Sequence, residues 1–390
     1  MHSIYTEAFK IEFMKIAVVY PFFAHYRKSI IELLNKDKVN EYYFISGTET
    51  NSSYSSLKLY DFKDNPKFIK VRNYWFFKSF LWQKELFTSI KRGHYELVIL
   101  FADWKYISTW LVIPYLILNR TPFLFWSHGL LNKKKSLNNA LKMLFFSFFK
   151  NGGFVYDNRA KIIMESKGYK NNIDVIFNSL DYEKQLKALE AIANDSGKIN
   201  QDINKPYVIF SGRIIAERKL ELLFDAIKIL HNNGVIINVL IIGDGPHYSI
   251  LKEYGEKLSI LEQVKFYGSC YDEERLAKFF VDSIACVFPG PVGLTAIHAL
   301  TYGTPVITND NIFSQKPEIE AVKEGCTGAF YKEGDAASLA EKIQYFYNLS
   351  FEERKEFSRN CKAEIARNFT AENQREIINS RISSLVIKTI

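Results

Sequence analysis

Short apolar runs alternate with amphipathic segments along the first half of the chain. MKIAVVY (14–20), ELVILF (96–101) and PFLFWS (122–127) have the length and composition of buried strands. YRKSIIELL (26–34) has the apolar spacing of a helix, and YISTWLVIPYLIL (106–118) has the length of one. Strands that alternate with helices of about 10–15 residues are typical of βαβ units, so this half predicts a parallel sheet.

A second α/β series follows a polar segment at 181–205, whose sequence NDSGKINQDINK (194–205) is typical of a linker. YVIFSG (207–212) and INVLIIGDG (237–245) predict strands, and the segment between them predicts an amphipathic helix. We therefore predict an α/β protein of two Rossmann-like domains that face each other across a cleft. In open parallel sheets, ligands bind at the carboxyl ends of the strands.

The predicted boundaries give an N-terminal domain at 14–180, the linker at 181–205 and a second domain at 206–370. A C-terminal helix is predicted over 371–390, and its return to the N-terminal domain is left open. A length of 390 residues agrees with two domains. Because a second methionine, Met14, directly precedes the first strand, we expect residues 1–13 to add nothing to the fold.

Positive charge is concentrated in the first half. Residues 1–170 hold 26 Lys and Arg against 13 Asp and Glu, whereas the remainder holds 25 against 30. Nucleic acid is one partner that such a basic half could bind, but no helix-turn-helix, zinc finger or RNP signature accompanies it. An anionic membrane surface is favoured, because NYWFFKSFLWQK (73–84) and KKKSLNNALKMLFFSFFK (133–150) place basic residues beside aromatic ones at helical spacing. The alternative is that both are ordinary amphipathic helices with aromatic residues in the core.

The sequence also bears on the cellular compartment. The longest apolar run, 106–118, is too short to span a bilayer, and the N-terminus lacks a signal-peptide pattern. The four cysteines have no CxxC spacing, so we expect reduced thiols and neither a metal nor a disulfide. These features predict a cytoplasmic protein, peripheral at the inner face of the cell membrane.

Candidate chemistry begins at the first strand of the second domain. FSGRIIAERKLELL (210–223) places Gly212 and Arg213 at a strand end and Lys219 at the start of the next helix. A helix N-terminus favours anions, Arg offers a planar fork of donors, and Lys offers a point charge. The pattern predicts a diphosphate site that needs no metal, the alternative being two solvated surface cations.

Two further turns are rich in glycine. IIGDGP (241–246) ends a strand with Gly243, and neither a GxGxxG fingerprint nor a Walker A loop is present, which argues against NAD and ATP. A DxD-type metal site is also missing, and no cofactor is expected. FPGPVGLTAIHALTYGTPVIT (288–308) predicts a strand, a Gly/Pro turn, a short helix, a glycine stop and another strand.

Taken in order, SGR…K, IIGDGP, VKFYGS, the turn and helix at 288–300, YGTPVI and PEIEAVKEGCTGAFY (317–331) resemble the C-terminal domain of the family 4 retaining glycosyltransferases, which have the GT-B fold. The resemblance covers roughly 205–370. It extends more loosely over 14–180 through the βα alternation, SHG (127–129) and VIFNSLD (175–181), the last matching the start of the family's interdomain linker.

The resemblance implies a role for each matching residue. Arg213 and Lys219 match the catalytic basic pair that holds the nucleotide-sugar diphosphate and stabilises its leaving charge. Gly293 and Leu294 match a turn whose backbone N–H groups face the phosphates, and His128 matches a catalytic histidine near the donor sugar. Glu318 matches the acidic residue of a PE segment with a structural or helix-start role.

His25 is selected by its placement alone. It follows the first strand and could face the acceptor, the alternative being a solvated loop histidine. The donor-binding residues that we predict are Gly212, Arg213, Lys219, Gly243, Gly290, Gly293, Leu294 and His298.

The chain departs from the family at an E-x7-E motif, whose two glutamates align with Gly290 and His298. The first glutamate normally contacts the donor sugar and the second the ribose. Gly290 offers only backbone, whereas His298 can still exchange a hydrogen bond with a ribose hydroxyl. Loss of both carboxylates could also mean an inactive enzyme.

The resemblance implies a retaining sugar transferase in surface polysaccharide synthesis, capsule or O-antigen. Its donor would be a nucleotide diphosphate sugar, bound by the second domain, and its acceptor a lipid-linked glycan, bound by the first. Two alternatives stay open. One is a non-catalytic protein that binds a nucleotide sugar or a partner, and the other is a nucleotide-sugar 2-epimerase, which would need carboxylates that this site segment lacks.

Overall fold

The computed structural model describes residues 14–52, 57–63, 65–133, 135–194 and 206–386. The chain divides into two compact units, one formed by 1–176 with 375–390 and the other by 177–374. Each unit contains a parallel sheet with helices, as the alternating sequence pattern predicts. The predicted α/β fold is therefore confirmed.

The first unit is built on a seven-stranded parallel sheet with strand order β3-β2-β1-β6-β7-β8-β9. One interior strand of this sheet, β1, is buried from Ile16 to Val19, because near-continuous apolar runs suit strands covered on both faces. The strands of this unit are β1 Met14–Val19, β2 Asn40–Ser46, β3 Phe68–Lys70, β4 Arg72–Phe76, β5 Phe80–Lys84, β6 Leu97–Phe101, β7 Phe123–Ser127, β8 Gly153–Val155 and β9 Ile173–Val175. Its helices are α1 Lys28–Asn35, α2 Leu86–Gly93, α3 Ile107–Leu118, α4 Leu137–Phe146 and α5 Asn158–Ser166.

The second unit is built on a six-stranded parallel sheet with strand order β12-β11-β10-β13-β14-β15. Its strands are β10 Tyr207–Ser211, β11 Asn238–Ile242, β12 Val264–Gly268, β13 Cys286–Phe288, β14 Val306–Asn309 and β15 Gly328–Tyr331. Its helices are α6 Tyr182–Asn194, α7 Leu220–Asn232, α8 Tyr248–Lys257, α9 Glu273–Val281, α10 Leu294–Thr301, α11 Ala336–Asn348 and α12 Phe351–Asn368. The last helix of the chain, α13 Ala371–Val386, belongs to the first unit from Arg375 onward.

The helical interpretation of 73–84 is wrong. This segment forms the antiparallel hairpin of β4 and β5, in which Phe76 pairs with Phe80. Burial alternates along β5, where Leu81 and Gln83 are buried and their neighbours are not. Aromatic residues on both faces of the hairpin hide this period of two in the sequence.

One further expectation differs from the structure. The segment assigned to a linker at 181–205 is helical over Tyr182–Asn194, and α6 rests against α9 with Lys184 bonded to Glu273 at 3.2 Å. Residues 195–205 lie outside the described residues, as do 1–13. Among the described residues, none of the helices combines the length and the apolar character that crossing a bilayer requires.

Candidate functional site

The carboxyl ends of β10 and β11 lie against each other through backbone bonds. The N–H of Gly212 donates to the carbonyl of Ile242 at 2.9 Å, and the N–H of Gly243 donates to that of Gly268 at 2.8 Å. A Cβ on Gly243, whose φ is +136°, would lie 1.9 Å from the carbonyl oxygen of Gly212. Only glycine fits there, so the GDG turn is a requirement of close strand-end packing. This turn borders the predicted donor site.

Arg213 and Lys219 lie beyond the end of β10, as predicted. Arg213 is exposed, and Lys219 precedes α7 in a left-handed conformation with φ of 52°. The Nζ of Lys219 lies 2.9 Å from Oε1 of Glu333, whose other carboxylate oxygen accepts from Asn311 at 2.6 Å. The bond from Lys219 lowers the pKa of Glu333. Nothing near the SGR motif in the sequence indicates this acidic partner.

Gly290 is buried under the loop that precedes α7. Its N–H donates to the carbonyl of Arg218 at 2.9 Å, and a Cβ at this position would lie 2.1 Å from the carbonyl oxygen of Glu217. The space that a side chain would need at position 290 is therefore filled by main chain. The predicted alignment of Gly290 with the first glutamate of the family 4 motif stays a prediction.

Arg218 fixes that loop to the turn at 289–291. Its Nη1 donates to the carbonyl of Pro291 at 2.7 Å, and its guanidinium carbon lies 5.0 Å from the ring centre of Phe288. Burial lowers the pKa of Arg218. Its Nε is buried and has no hydrogen-bond partner among the described residues. Sequence reasoning missed this residue, because the motif draws attention to Arg213 and Lys219.

The start of α10 is held at the same sheet edge. The hydroxyl of Thr295 donates to the carbonyl of Ser211, the last residue of β10, at 3.0 Å. Gly293 is the N-cap and makes no side-chain cap, so the first N–H groups of α10, beginning with Leu294, have no partner within the helix. A Cβ on Gly293 would make ordinary van der Waals contacts with Lys316 at 3.8 Å and Glu318 at 3.9 Å. The turn presents N–H donors at this sheet edge.

Glu318 lies beside this turn and is buried. Its Oε1 accepts from the Nδ2 of Asn178 at 2.6 Å, which joins the PE segment to the VIFNSLD segment. Its Oε2 is the atom 3.9 Å from the position that a Gly293 Cβ would occupy. The bond to Asn178 is compatible with the structural role that the resemblance implies.

His298 is bonded within the protein. Its Nε2 lies 2.7 Å from Oε1 of Glu273 at the start of α9, and Tyr302 and Lys184 also donate to this carboxylate. Burial acts to raise the pKa of Glu273, but the bonds from His298, Tyr302 and Lys184 outweigh it and lower the pKa to about 2. Nδ1 is the ring nitrogen left for a ribose contact, which stays a prediction.

The first unit carries His128 and His25 at the carboxyl edge of its own sheet. His128 follows β7, and its ring centre lies 4.7 Å from that of Tyr156 and 6.4 Å from that of Phe101. His25 opens a short 3-10 turn before α1, and its N–H donates to the carbonyl of Lys58 at 2.8 Å. Both positions agree with ligand-facing loops, and the roles assigned to them stay predictions.

No group of three or more His, Cys, Asp or Glu side chains that could hold a metal ion occurs in the described part of the chain. Metal independence nevertheless remains a prediction.

Comparison with solved structures of other proteins shows the fold of this chain. Anabaena HepE in complex with UDP superposes with a TM-score of 0.69 at 15% identity, over 95% of this chain and 100% of HepE. The lipopolysaccharide outer core galactosyltransferase WaaB superposes with a TM-score of 0.66 at 16% identity, over 95% and 99%. The protein has the GT-B fold.

The family model for "Glycosyl transferases group 1" matches residues 191–364 of this chain. A relative from Klebsiella pneumoniae, an uncharacterised 41.2 kDa protein of the cps region, is 29% identical over 200 residues, 49% of this chain and 51% of that protein. The chain spans about half or less of the length of the curated relatives it matches. This match supports the resemblance seen in the sequence, and the narrower assignment to family 4 stays a prediction.

Proposed function

We propose that the protein is a retaining glycosyltransferase that moves a hexose-type sugar from a nucleotide diphosphate sugar to a hydroxyl of a lipid-linked glycan. The product would be a surface polysaccharide, capsule or O-antigen. Three comparisons support this: the match to the group 1 family model, the relative from a cps region, and HepE, which has been solved with UDP and with UDP-glucose.

One structural observation carries the proposal. Arg213, Lys219 and the N–H groups at the start of α10 lie at one edge of one sheet, tied together by the bond between Thr295 and Ser211. Cations and a helix N-terminus at this edge suit a diphosphate. When the donor binds, Lys219 would break its ion pair with Glu333 and contact the donor diphosphate instead.

The proposed mechanism uses the donor's own phosphate. As the glycosidic bond breaks, negative charge grows on the leaving diphosphate, and Arg213 and Lys219 stabilise it without reorganising. The acceptor hydroxyl attacks on the face that the diphosphate leaves, and a phosphate oxygen takes its proton. His128 would lie beside the donor sugar. No protein carboxylate is required as a nucleophile, which suits a chain with glycine at position 290.

The experiment is a donor screen. The protein is incubated with UDP-, GDP- and dTDP-sugars, and the free nucleotide diphosphate is measured. We expect slow hydrolysis of one donor, loss of that activity in Arg213→Ala, and normal activity in Arg359→Ala, which removes an exposed arginine on α12. Donor binding without release, even with a lipid-linked acceptor present, would instead identify a non-catalytic binding protein. Conversion of the donor to its 2-epimer would identify an epimerase.

The lipid-linked acceptor would be reached from an anionic membrane surface at the inner face of the cell membrane. Support comes from α3, whose polar residues Ser108 and Thr109 are buried whereas its outward side is apolar. That side consists of Ile107, Leu111, Pro114, Ile117 and Leu118, all exposed. A surface helix normally turns polar residues to water, so an apolar outward face suits the boundary between headgroups and acyl chains.

The hairpin of β4 and β5 adjoins this helix through the bridge between Leu81 and Tyr106. At its tip Phe77 is 91% exposed. Phe77 and Lys78 have φ of 47° and 63°, left-handed values that tight hairpin turns normally give to Asn and Gly. An exposed Phe and a Lys held in a strained turn suit insertion into the headgroup region. Of the lysines 133–135 that the sequence indicated for this surface, Lys133 and Lys135 are exposed and Lys134 lies outside the described residues.

A further inference from the structure

A buried arginine lies at the carboxyl edge of the sheet in the first unit. Arg27 is only 9% exposed, and its guanidinium carbon lies 5.0–5.6 Å from the centres of four aromatic rings. These rings belong to residues at or near the ends of β1 and β7, just after β8, and next to Arg27 itself: Tyr20, Trp126, Tyr156 and Tyr26. The side chain is therefore enclosed by aromatic walls at the edge where parallel sheets bind ligands.

No carboxylate balances this charge. Among the described residues, no Asp or Glu oxygen lies within ion-pair distance of Arg27, whose hydrogen bond goes to the hydroxyl of Tyr156. Burial raises the pKa of both Tyr156 and Tyr20, so neither phenol supplies a negative charge. The other strongly buried arginines of this unit, Arg159 and Arg381, each have an aspartate partner. Aromatic faces only partly compensate a desolvated cation.

The surroundings of Arg27 are rich in donors. The indole Nε1 of Trp126 is buried and has no hydrogen-bond acceptor among the described residues. The hydroxyls of Tyr20 and Tyr156 lie 3.1 Å apart and share one hydrogen bond. A buried cation and an unpaired indole N–H together favour an anion.

The chemistry narrows the class of anion. A guanidinium presents paired N–H groups that match the two oxygens of a phosphate or a carboxylate. Aromatic walls around it suit a ligand that also carries apolar faces, such as a sugar ring. His128, predicted to act near the donor sugar, is 4.7 Å from Tyr156 between ring centres. An anion bound by Arg27 would thus lie close to the predicted chemistry.

We propose that Arg27 binds a phosphate or carboxylate group of the acceptor, so that the acceptor is an anionic glycan or a glycan phosphate. This inference rests on the proposed function, because it takes the first unit to be the acceptor side. Arg27 makes no covalent step and acts in binding and orientation. It gives the enzyme a means to reject neutral sugars as acceptors, since these would leave the buried charge unpaired.

Binding of small anions tests the site directly. Full-length protein carrying Arg213→Ala and Lys219→Ala, which removes the cations of the donor side, is titrated calorimetrically with inorganic pyrophosphate, sodium glucuronate and glucose. We expect one of the two anions to bind and glucose not to bind. Adding Arg27→Met should weaken that anion at least tenfold, whereas Arg381→Met, which removes an arginine that has its own aspartate, should leave it unchanged. Binding of pyrophosphate would indicate that the acceptor carries a phosphate, and binding of glucuronate would indicate that it carries a carboxylate.

Thermal unfolding separates this role from a structural one. The parent for this comparison is the protein that carries Arg213→Ala and Lys219→Ala. Without added anion, the parent with Arg27→Met should have a melting temperature equal to or above that of the parent itself, because an apolar side chain of similar length replaces an unbalanced buried charge. Saturating anion should raise the melting temperature of the parent and not of the variant. A lower melting temperature for Arg27→Met, with anion affinity unchanged, would show that Arg27 only holds the aromatic residues together.

Failure of this inference can be told from failure of the proposed function. Release of nucleotide diphosphate from a donor, together with no binding of pyrophosphate or glucuronate, overturns the anion site and leaves the transferase intact. Anion binding that depends on Arg27, without turnover of any donor, overturns the transferase and with it the assignment of the anion to an acceptor.

Discussion

Lys219 and Glu333 form an ion pair in the second unit, with Nζ and Oε1 2.9 Å apart. One of the two cations assigned to the donor diphosphate therefore already has a carboxylate partner. Glu333 is itself held by Asn311 at 2.6 Å, so the pair is a positioned contact between the start of α7 and the loop after β15. A diphosphate that binds Lys219 must compete with this carboxylate.

Glu333→Gln should strengthen the binding of nucleotide diphosphates. The amide keeps the size of the side chain and removes its charge, so Lys219 is released at lower cost. Because partly exposed ion pairs contribute about 0.2–1 kcal/mol, we expect an affinity gain of about 1.4- to fivefold for UDP or another accepted nucleotide, measured by calorimetry at low salt. Glu341→Gln, which neutralises an exposed glutamate on α11, serves as the control. Equal or weaker binding in Glu333→Gln would mean that Lys219 does not contact the diphosphate.

Gly290→Ala should destabilise the second unit, and Gly290→Glu should do so more strongly. A Cβ there would lie 2.1 Å from the carbonyl oxygen of Glu217, which is main chain and cannot rotate away. Overpacking of this kind costs about 1–3 kcal/mol, measured as the loss of unfolding free energy in urea. Gly293→Ala, whose Cβ meets nothing closer than 3.8 Å, should unfold like the parent. If Gly290→Glu is as stable as the parent, the loop at 217–218 is not fixed as described.

The ion pair of Lys219 with Glu333 and the turn at Gly290 show what can and cannot be predicted from a sequence. The strands at 14–20 and 207–212 were predicted nearly to the residue, because strands buried on both faces read as continuous apolar runs. Arg213 and Gly293 were placed at the sheet edge because strand–turn–helix patterns have fixed ends. Glu333 could not be found in this way, since it lies 114 positions from Lys219 and reaches it only through the tertiary fold.

The same limit applies to the predicted departure from the family 4 motif. The resemblance aligns Gly290 and His298 with two glutamates, but it does not show what surrounds these positions. The structure places main chain against the first position and the carboxylate of Glu273, from a neighbouring helix, against the second. The hairpin at 72–84 was missed for a different reason, since its buried positions include the polar Asn73 and Gln83, whereas its aromatic residues are exposed or half-buried.

His298→Glu should destabilise the protein although it introduces the residue that family 4 enzymes carry at the aligned position. The new carboxylate would lie beside Glu273, in a half-buried position, and like charges there disfavour one another. We expect a loss of about 2 kcal/mol of unfolding free energy at neutral pH, and Glu273→Gln in the same chain should recover a large part of it. The two single variants and the double variant form a cycle measured in urea. An additive cycle would show that the two side chains do not interact.

Stability should depend on Glu273 in acid. The pKa of Glu273 is lowered to about 2 in the folded protein, below the ordinary glutamate value, because His298, Tyr302 and Lys184 donate to it. Its ionised form therefore stabilises the fold fully above pH 4.5, and this contribution is lost as the pH falls toward 2. The unfolding free energy of the parent should exceed that of Glu273→Gln by a constant amount above pH 4.5. The difference should shrink below that pH, by at most about 3 kcal/mol. A difference that stays constant down to pH 3 would contradict the lowered pKa.

Phe77→Ser should weaken association with anionic vesicles. The ring is 91% exposed at the hairpin tip, so its removal costs no packing in the fold, yet its transfer from water into the headgroup region is favourable by about 1–2 kcal/mol. We expect a five- to thirtyfold lower partition coefficient in sedimentation with phosphatidylglycerol vesicles. Phe351→Ser, which removes a 76% exposed ring from the second unit, should bind like the parent.

Changing Lys133 and Lys135 together to Glu should reduce binding further at low salt and have less effect at high salt, because the attraction to anionic lipid is screened. If neither Phe77→Ser nor the double lysine variant alters partitioning, the hairpin and the segment before α4 do not face the membrane.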